Sequence, residues 1–398
     1  MRMLELEVEG FRSLRHVTWK PDRLNVVIGP NGSGKSNLLR VLEMLTTAGR
    51  GGLGKYIQRE GGISPLLWDG HVNRLRFRTK MSPVEQHRDE VRDSLTYDIV
   101  LNQVGKSSSY RINSELLANF YKVETNERPE PFKLFEREPL RAVIFDSEEK
   151  ALVTIEEKLD EEETLLSAAA GPVSTNPYVD EFQQRFANWR VYEDIHTDRA
   201  SEMRQATVAR NETIVESGGQ NLIAVLHTLY SSNRDFKNEV NTAIRSAFSD
   251  DFEELIFPPA ADQRIQLRVR WRSLQREQSA ADLSDGTLRF LFLLAVLANP
   301  SPPPLIAIDE PETGLHPSML PIVAEYARDA ALRTQVILTT HSPEFLDAFG
   351  AEPPTTTVVE WREGETHLRV VSGDELEFWL QKYTLGELYR SRELEAMT

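Results

Sequence analysis

The chain contains no cysteine. Disulfides, thiol nucleophiles and thiolate metal sites are excluded, and a cytoplasmic location is the simple expectation. Long apolar runs are missing as well. The longest, Phe290 to Ala298, spans nine residues and stops at Asn299-Pro300. A bilayer-crossing helix needs about 20 such residues, so neither a membrane span nor a membrane partner is expected. The opening Met-Arg-Met-Leu-Glu-Leu-Glu alternates acid with apolar and does not read as a signal peptide. Lysine is scarce, 11 residues against 35 arginines, and acids outnumber bases 62 to 46 for a net charge of −16. Bulk attraction to nucleic acid is therefore not the design, although a local basic patch is compatible with it. Arginine in this excess favours fixed, forked contacts with carboxylate or phosphate.

What is present is an ordinary globular composition over 398 residues, with 40% hydrophobic and 27% charged residues. That length suits two lobes or one domain with a large insertion. Leu4 to Glu9 and Arg264 to Arg272 alternate as half-exposed strands, whereas Leu24–Ile28, Leu305–Ile308 and Gln335–Thr339 are dense apolar runs expected of buried parallel strands. Asn37 to Leu45 and Leu288 to Leu297 read as helices, and 178–250 as mostly helical without a sustained heptad. Short strands are expected at Leu75–Thr79, Leu95–Leu101 and Leu140–Phe145. A hairpin (Thr356–Trp361, His367–Val371) and a helix from Glu375 are expected at the tail. Gly49 to Gly54, with Gly61-Gly62 beyond it, reads as a mobile loop, Asp146 to Glu163 as a solvated acidic segment, and Ala168 to Pro177 as a linker.

Gly29-Pro30-Asn31-Gly32-Ser33-Gly34-Lys35-Ser36 matches G-x-x-x-x-G-K-[ST] between a buried strand and a helix. Glycines at this spacing turn backbone N–H groups inward around phosphates, and the following helix presents its positive end. Lys35 would reach the β- and γ-phosphates, Ser36 would ligate Mg²⁺, and Asn31, Gly32, Ser33, Gly34 and Asn37 would line the nucleotide. Further on, the strand Leu305–Ile308 runs into Asp309-Glu310. Acids at the carboxyl end of a parallel strand stand where ligands gather. Asp309 would hold Mg²⁺ or its waters, and Glu310 would polarise the attacking water as general base. His341, after the next buried strand, would bond the γ-phosphate or orient the water, whereas His316 reads as a turn residue.

These residues, in this order, resemble the ATP-binding-cassette superfamily and, within it, the RecF/SMC-like branch. Leu283-Ser284-Asp285-Gly286-Thr287 resembles the family signature, and Asp309-Glu310-Pro311, Glu312 to His316 and His341 complete the set. A decoy, Ser217-Gly218-Gly219-Gln220, lies too far ahead of Asp309 for the family spacing. The wording D-E-P-E-T-G-L-H-P and the tail Leu385 to Tyr389 are similar to stand-alone bacterial AAA-family ATPases related to OLD proteins. The resemblance implies an α/β P-loop NTPase of the ATP-binding-cassette type, with a mixed sheet and a helical second lobe. Residues 1–150 and 300–398 would form the nucleotide-binding core, and 151–299 a mainly helical lobe. It also implies ATP and Mg²⁺ as cofactors, and a homodimer formed on ATP. In that dimer Ser284, Asp285 and Gly286 of one copy would cap the nucleotide of the other. Phe11-Arg12-Ser13 resembles a stretch of this branch whose arginine reaches the nucleotide, which makes Arg12 a candidate. His316 stands where transporter relatives carry the D-loop aspartate, and Gln58, Gln86 and Gln103 all remain open as the Q-loop residue.

The functional expectation is an ATP-binding and ATP-hydrolysing head that dimerises on ATP and serves DNA repair, recombination or anti-phage defence. The alternative is a nucleotide-gated scaffold for a protein effector with little DNA contact. The tail of 57 residues after His341 holds only Asp347 and Asp374 as aspartates, too little for a metal-dependent nuclease domain. A transporter motor fits the large middle insertion poorly. DNA contact would fall to Arg268, Arg270 and Arg272, which alternation places with Arg264 on one strand face, and to Arg74, Arg76, Arg78 and Lys80. The competing expectation is that these arginines pair with acids, such as those of residues 146–163.

Overall fold

The computed structural model describes residues 1–70, 72–82, 92–121, 130–155, 159–169, 176–350, 352–371 and 374–396. The chain divides into two compact units. One comprises Met1–Asp22, Gly29–Trp189 and Thr357–Val370, the other Arg23–Ile28, Arg190–Thr356 and Val371–Thr398. The cuts thus fall elsewhere than at 150/151 and 299/300.

In the first unit an antiparallel sheet grows by strand-to-strand alternation. Its order is Leu14–Trp19, Met3–Phe11, Arg74–Met81, Arg92–Gln103, Tyr110–Tyr121, Phe132–Glu138, Arg141–Asp146, Ala151–Thr154. Along Arg74–Met81, Leu75, Phe77, Thr79 and Met81 are buried while the basic residues between them point away. Those bases face acids across the ladder: Arg76 meets Asp98 at 2.6 Å and Glu9 at 3.4 Å, and Arg78 meets Glu7 at 3.7 Å. Such cross-strand pairs contribute about 0.2–1 kcal/mol each. Tyr97, Phe135, Phe182, Phe186 and Trp189 form one aromatic cluster under the sheet. The tail hairpin is present as Thr355–Arg362 and Glu365–Val371, joined by Glu363 and Gly364 at φ 51° and 85°. That left-handed pair is the two-residue turn a twisted hairpin favours.

The Gly-rich stretch Gly49–Gly54, with Gly61-Gly62 beyond it, is not a loop throughout. Leu53–Arg59 is a helix that buries Leu53, Tyr56 and Ile57 on one side. Its first N–H groups, on Leu53 and Gly54, are capped from a distance by the Glu163 carboxylate at 3.3 Å each. The end of the acidic stretch therefore has a structural task besides solvation. Glu115 does similar work: fully buried, it accepts N–H bonds from Leu165 and Leu166 and the hydroxyl of Tyr97. Within the expected linker, 170–175 lies outside the described residues; the helices Leu165–Ala169 and Pro177–Ala187 flank it.

The second unit is organised on four parallel strands in the order Arg190–Tyr192, Leu305–Asp309, Gln335–Thr340, Leu24–Ile28. Gln335–Thr340 is buried at every position, as a central parallel strand must be. Register aligns the carboxyl ends, with Asp309 opposite Thr339 and Thr340 opposite Ile28. The apolar helix Asp285–Leu297 is buried along most of its length. Two sequence expectations change here. The 178–250 region holds helices Pro177–Ala187, Leu222–Ser232 and Arg234–Phe248, but the stretch between the first two is largely irregular with short strands. The alternating 264–272 run is broken: Arg264–Ile265 pairs with Thr207–Val208, whereas Arg268–Trp271 pairs with Phe252–Ile256 and Gln278–Ser279. Partners on two different sheets, not the side-chain alternation, decide that break. No helix among the described residues is long and apolar enough to cross a membrane.

Candidate functional site

The glycine-rich loop lies in the first unit and opens the helix Lys35–Gly49. Gly34 is the N-cap at φ 109°, no side chain caps the helix, and its first turn holds no acid. A long helix left open this way offers its N–H groups and positive dipole end to an anion. Side chains cannot be added to the loop freely. A Cβ on Gly29 would strike the Val359 carbonyl oxygen, and one on Gly34 would strike the Thr366 hydroxyl. Lys35 is buried and donates from Nζ to the carbonyls of Gly29 at 2.7 Å and Pro30 at 3.2 Å, so its ammonium sits over the loop. Ser33 Oγ is buried without a hydrogen-bond partner. Asn31 and Gly32 are exposed.

A hydroxyl network absent from the motif holds the loop's shape. The Thr366 hydroxyl donates its one proton to the Ser33 carbonyl at 2.8 Å and accepts from the Ser13 hydroxyl at 2.7 Å, and Asn37 Nδ2 donates to the same Ser13 at 2.8 Å. Asn37 thus supports the loop from within. Arg12, in the left-handed region at φ 48°, is drawn to Glu60 at 2.5 Å, with Nε buried and unpaired. Of the glutamines, Gln58 lies on the helix Leu53–Arg59, Gln103 donates to Ser64 Oγ and the Ser107 carbonyl, and Gln86 lies outside the described residues.

The acid pair lies in the second unit, at the carboxyl end of Leu305–Asp309. Two buried threonines of the neighbouring strand tie it down. The Thr339 hydroxyl donates to Asp309 Oδ1 and accepts from the Glu310 N–H at 3.1 Å. The Thr340 hydroxyl donates to Glu312 and accepts from the Ser342 N–H at 2.9 Å. Glu310 adopts φ 44°, a strained bend for a residue with a side chain. Its Oε1 lies 2.8 Å from His341 Nδ1, so a proton on Nδ1 is donated to the carboxylate. Both side chains are partly open to solvent. Glu312 is mostly buried, and burial raises its carboxyl above the ordinary carboxylate range, with the Thr340 hydroxyl opposing. His316 caps a turn through Ser318, which fits the turn role read from the sequence. Among the described residues no group of three or more His, Cys, Asp or Glu could hold a metal by itself. Any magnesium would take ligands from phosphate and water besides the protein.

Ser284 is the N-cap of Asp285–Leu297, accepting from the Thr287 N–H at 3.1 Å, and both Ser284 and Asp285 are exposed. Gly286 packs on the Gly314 carbonyl, leaving 2.5 Å for any added Cβ. Arg204, with a side chain only 6% exposed, clamps the turn. It reaches the carbonyls of Ala280, Ala281 and Leu283 and the carboxylate of Asp285. Nothing local in the sequence flags Arg204; its role depends on contacts about 80 positions away. The decoy Gly219 instead packs against Met203 and Phe292. The basic face of Arg268–Trp271 is committed to acids. Arg270 meets Glu254 and Glu277 at 2.9 Å each and Arg268 meets Glu277 at 3.8 Å, while the Arg272 backbone N–H bonds the Asp251 carbonyl. The partners are close in the fold and are not the acids of 146–163.

Residues 24–347 match the model of a family described as AAA domain, putative AbiEii toxin, Type IV TA system. No curated protein matches the chain in sequence. In structure it is similar to the SMC head bound to the C-winged helix domain of ScpA, with TM-score 0.56 and 16% identity over 95% of this chain and 100% of that one. It is also similar to the Smc head domain with an extended coiled coil bound to the C-terminal domain of ScpA, derived from Pyrococcus furiosus. There the TM-score is 0.52 and the identity 14%, over 96% of this chain and 99% of that one. The fold is an α/β P-loop NTPase fold of the SMC-head type.

Proposed function

The chain belongs to the family described as AAA domain, putative AbiEii toxin, Type IV TA system, and from that membership we propose an Mg²⁺-dependent ATPase head that pairs with a second copy on binding ATP. The observation that carries the reading is the 2.8 Å pairing of Glu310 with His341 at the end of a buried parallel strand. A carboxylate steered by an imidazole is a means of taking a proton from an attacking water. Lys35 balances charge on the β- and γ-phosphates, and the uncapped N-terminus of Lys35–Gly49 receives them. Asn31, Gly32, Ser33 and Gly34 line the phosphates, and Ser36 and Asp309 are the proposed magnesium ligands. Bound magnesium would neutralise charge that develops on the phosphoryl oxygens. Glu310 takes the water's proton and His341 holds Glu310 in line. Exposed Ser284, with Asp285 and Gly286, caps the second copy's nucleotide at a helix N-terminus. Arg12 is the weaker nucleotide contact, since Glu60 already takes its guanidinium.

We place this head in anti-phage defence, acting through a protein effector, a reading in keeping with the toxin wording of the family description. The pairing of Arg268 and Arg270 with Glu254 and Glu277 favours a protein partner over duplex DNA. SMC heads bound to ScpA domains offer a precedent in the same fold. Phosphate release from Mg²⁺-ATP tests the reading. Wild type is expected to turn over, and Lys35→Ala to lose nucleotide binding or turnover; a Lys35→Ala protein as active as wild type would contradict it.

A further inference from the structure

Two contacts join the first turns of the helix Asp285–Leu297 to the acid loop of the same unit. The first is Gly286 against the Gly314 carbonyl. The second is made by Arg289, whose Nη2 donates to the Glu310 carbonyl at 2.8 Å and reaches the Asp309 carbonyl at 3.5 Å. The oxygen that Arg289 holds belongs to the residue at φ 44°. Fixing that peptide fixes the bend from which the Glu310 carboxylate is aimed at His341. The arginine is an unusual investment at this place. Burial lowers its pKa against the pull of Glu312, Glu310 and Asp309, and its Nε is buried without a partner. Leu288, Phe290, Leu291 and Phe292 are fully or almost fully buried around it, so the helix responds as a packed rod and not as a string of independent side chains. Ser284, exposed at the head of that rod, stands five residues before Arg289, about 7.5 Å along the axis.

We propose that Arg289 is a positioning residue that couples the two ends of this helix, so that engagement of Ser284 by a second copy's nucleotide sets the peptide of Glu310 and starts turnover. The inference rests on the ATPase reading above and adds the device that makes turnover depend on pairing. An engaged state favoured by contacts at Ser284 shifts the position of Glu310 only as far as the two are mechanically joined, and Arg289 is the polar part of that joint.

The test measures ATP turnover against protein concentration for wild type, Arg289→Ala, Arg289→Met and Arg289→Lys. Solution mass with ATP is taken for each change combined with Glu310→Gln. Arg289→Ala is expected to bind ATP and pair normally, with KM within about twofold and kcat lower by about 30- to 100-fold. Its specific activity should no longer rise with protein concentration. Arg289→Met keeps the stem volume and carries the same expectation if the alanine variant unfolds in a melting scan. Arg289→Lys restores a charged donor and should return kcat to within about tenfold of wild type. Wild-type kcat and concentration dependence in Arg289→Ala or Arg289→Met would overturn the inference while leaving the ATPase reading intact. Loss of pairing together with turnover would also overturn it, because Arg289 would then support the interface and not Glu310. Absence of turnover by wild type would fell the ATPase reading and this inference with it.

Discussion

His341 Nδ1 and Glu310 Oε1 stand 2.8 Å apart, and the glutamate reaches that position from a backbone bend at φ 44°. Strain of this kind costs of order 1–3 kcal/mol and persists where surrounding contacts enforce it. Here the enforcing contacts are the Thr339 hydroxyl on the Glu310 N–H and Arg289 on the Glu310 carbonyl. If the two side chains act as one unit, their losses should not add. His341→Ala is expected to lower kcat by about 10- to 100-fold, and the double variant His341→Ala/Glu310→Gln should be no slower than Glu310→Gln alone. Steady-state phosphate release checks this, and additive losses would mean that His341 acts separately from Glu310.

Pairing on ATP has its own prediction. In the Glu310→Gln background, where hydrolysis cannot reset the complex, ATP should shift the solution mass from one copy to two. Ser284→Arg places a bulky cation at the exposed cap and should block the shift without weakening ATP binding to a single copy. Mass measured by light scattering with and without ATP decides it; a mass for Glu310→Gln that ignores ATP would remove the shared-site model.

The arginine faces lead to a prediction about DNA. Because Arg268 and Arg270 are engaged by Glu277 and Glu254, few cations there are open to phosphate. Wild type with ATP is expected to bind duplex weakly, with a log–log salt slope no steeper than about −2. Changing Arg268, Arg270 and Arg272 to Glu should then leave both duplex retention and ATPase nearly unaltered. Steep, salt-sensitive duplex binding that the triple change abolishes would reinstate the DNA reading.

Much of the phosphate loop was legible because its chemistry is local: glycines, Lys35 and Ser36 are consecutive, and the helix after them follows from its own periodicity. The same holds for the buried runs Leu305–Asp309 and Gln335–Thr340, where continuous apolar residues leave few alternatives. The supporting partners were not legible. Thr366 supports Ser13 from 353 positions away, and Arg204 clamps a turn about 80 positions later. Neither has a local signature, because the pairing depends on which segments the fold brings together. The broken strand at 264–272 teaches the same point from the other side. Its alternation is real, with Ile265, Leu267 and Val269 buried, yet the ladder partners and not the alternation set where the strand stops.

Glu312 should give the fold a pH signature. Its carboxyl is raised by burial, so the folded chain holds that proton more tightly than the unfolded one. Below the ordinary carboxylate pKa both states are protonated and the group contributes nothing. Above it the folded state binds more protons, so stability falls as pH rises, until the raised pKa is passed and the full cost is reached. Glu312→Gln removes the ionisation but keeps an acceptor for Thr340. Its Tm, measured relative to wild type, should therefore increase as pH climbs from about 4.5 towards neutrality, by about 2–4 °C for each kcal/mol involved. A difference that stays flat or shrinks over that range would contradict the assignment.

The central claim is that this chain hydrolyses ATP with Glu310 as its base, and the nucleotide recovered from the protein tests it most directly. Wild type and Glu310→Gln are mixed with Mg²⁺-ATP under single-turnover conditions, and the bound nucleotide is separated and quantified over time. The account predicts ADP on wild type and intact ATP on Glu310→Gln, with hydrolysis slowed by about 100-fold or more at unchanged binding. Equal rates of ADP formation on the two proteins would contradict it.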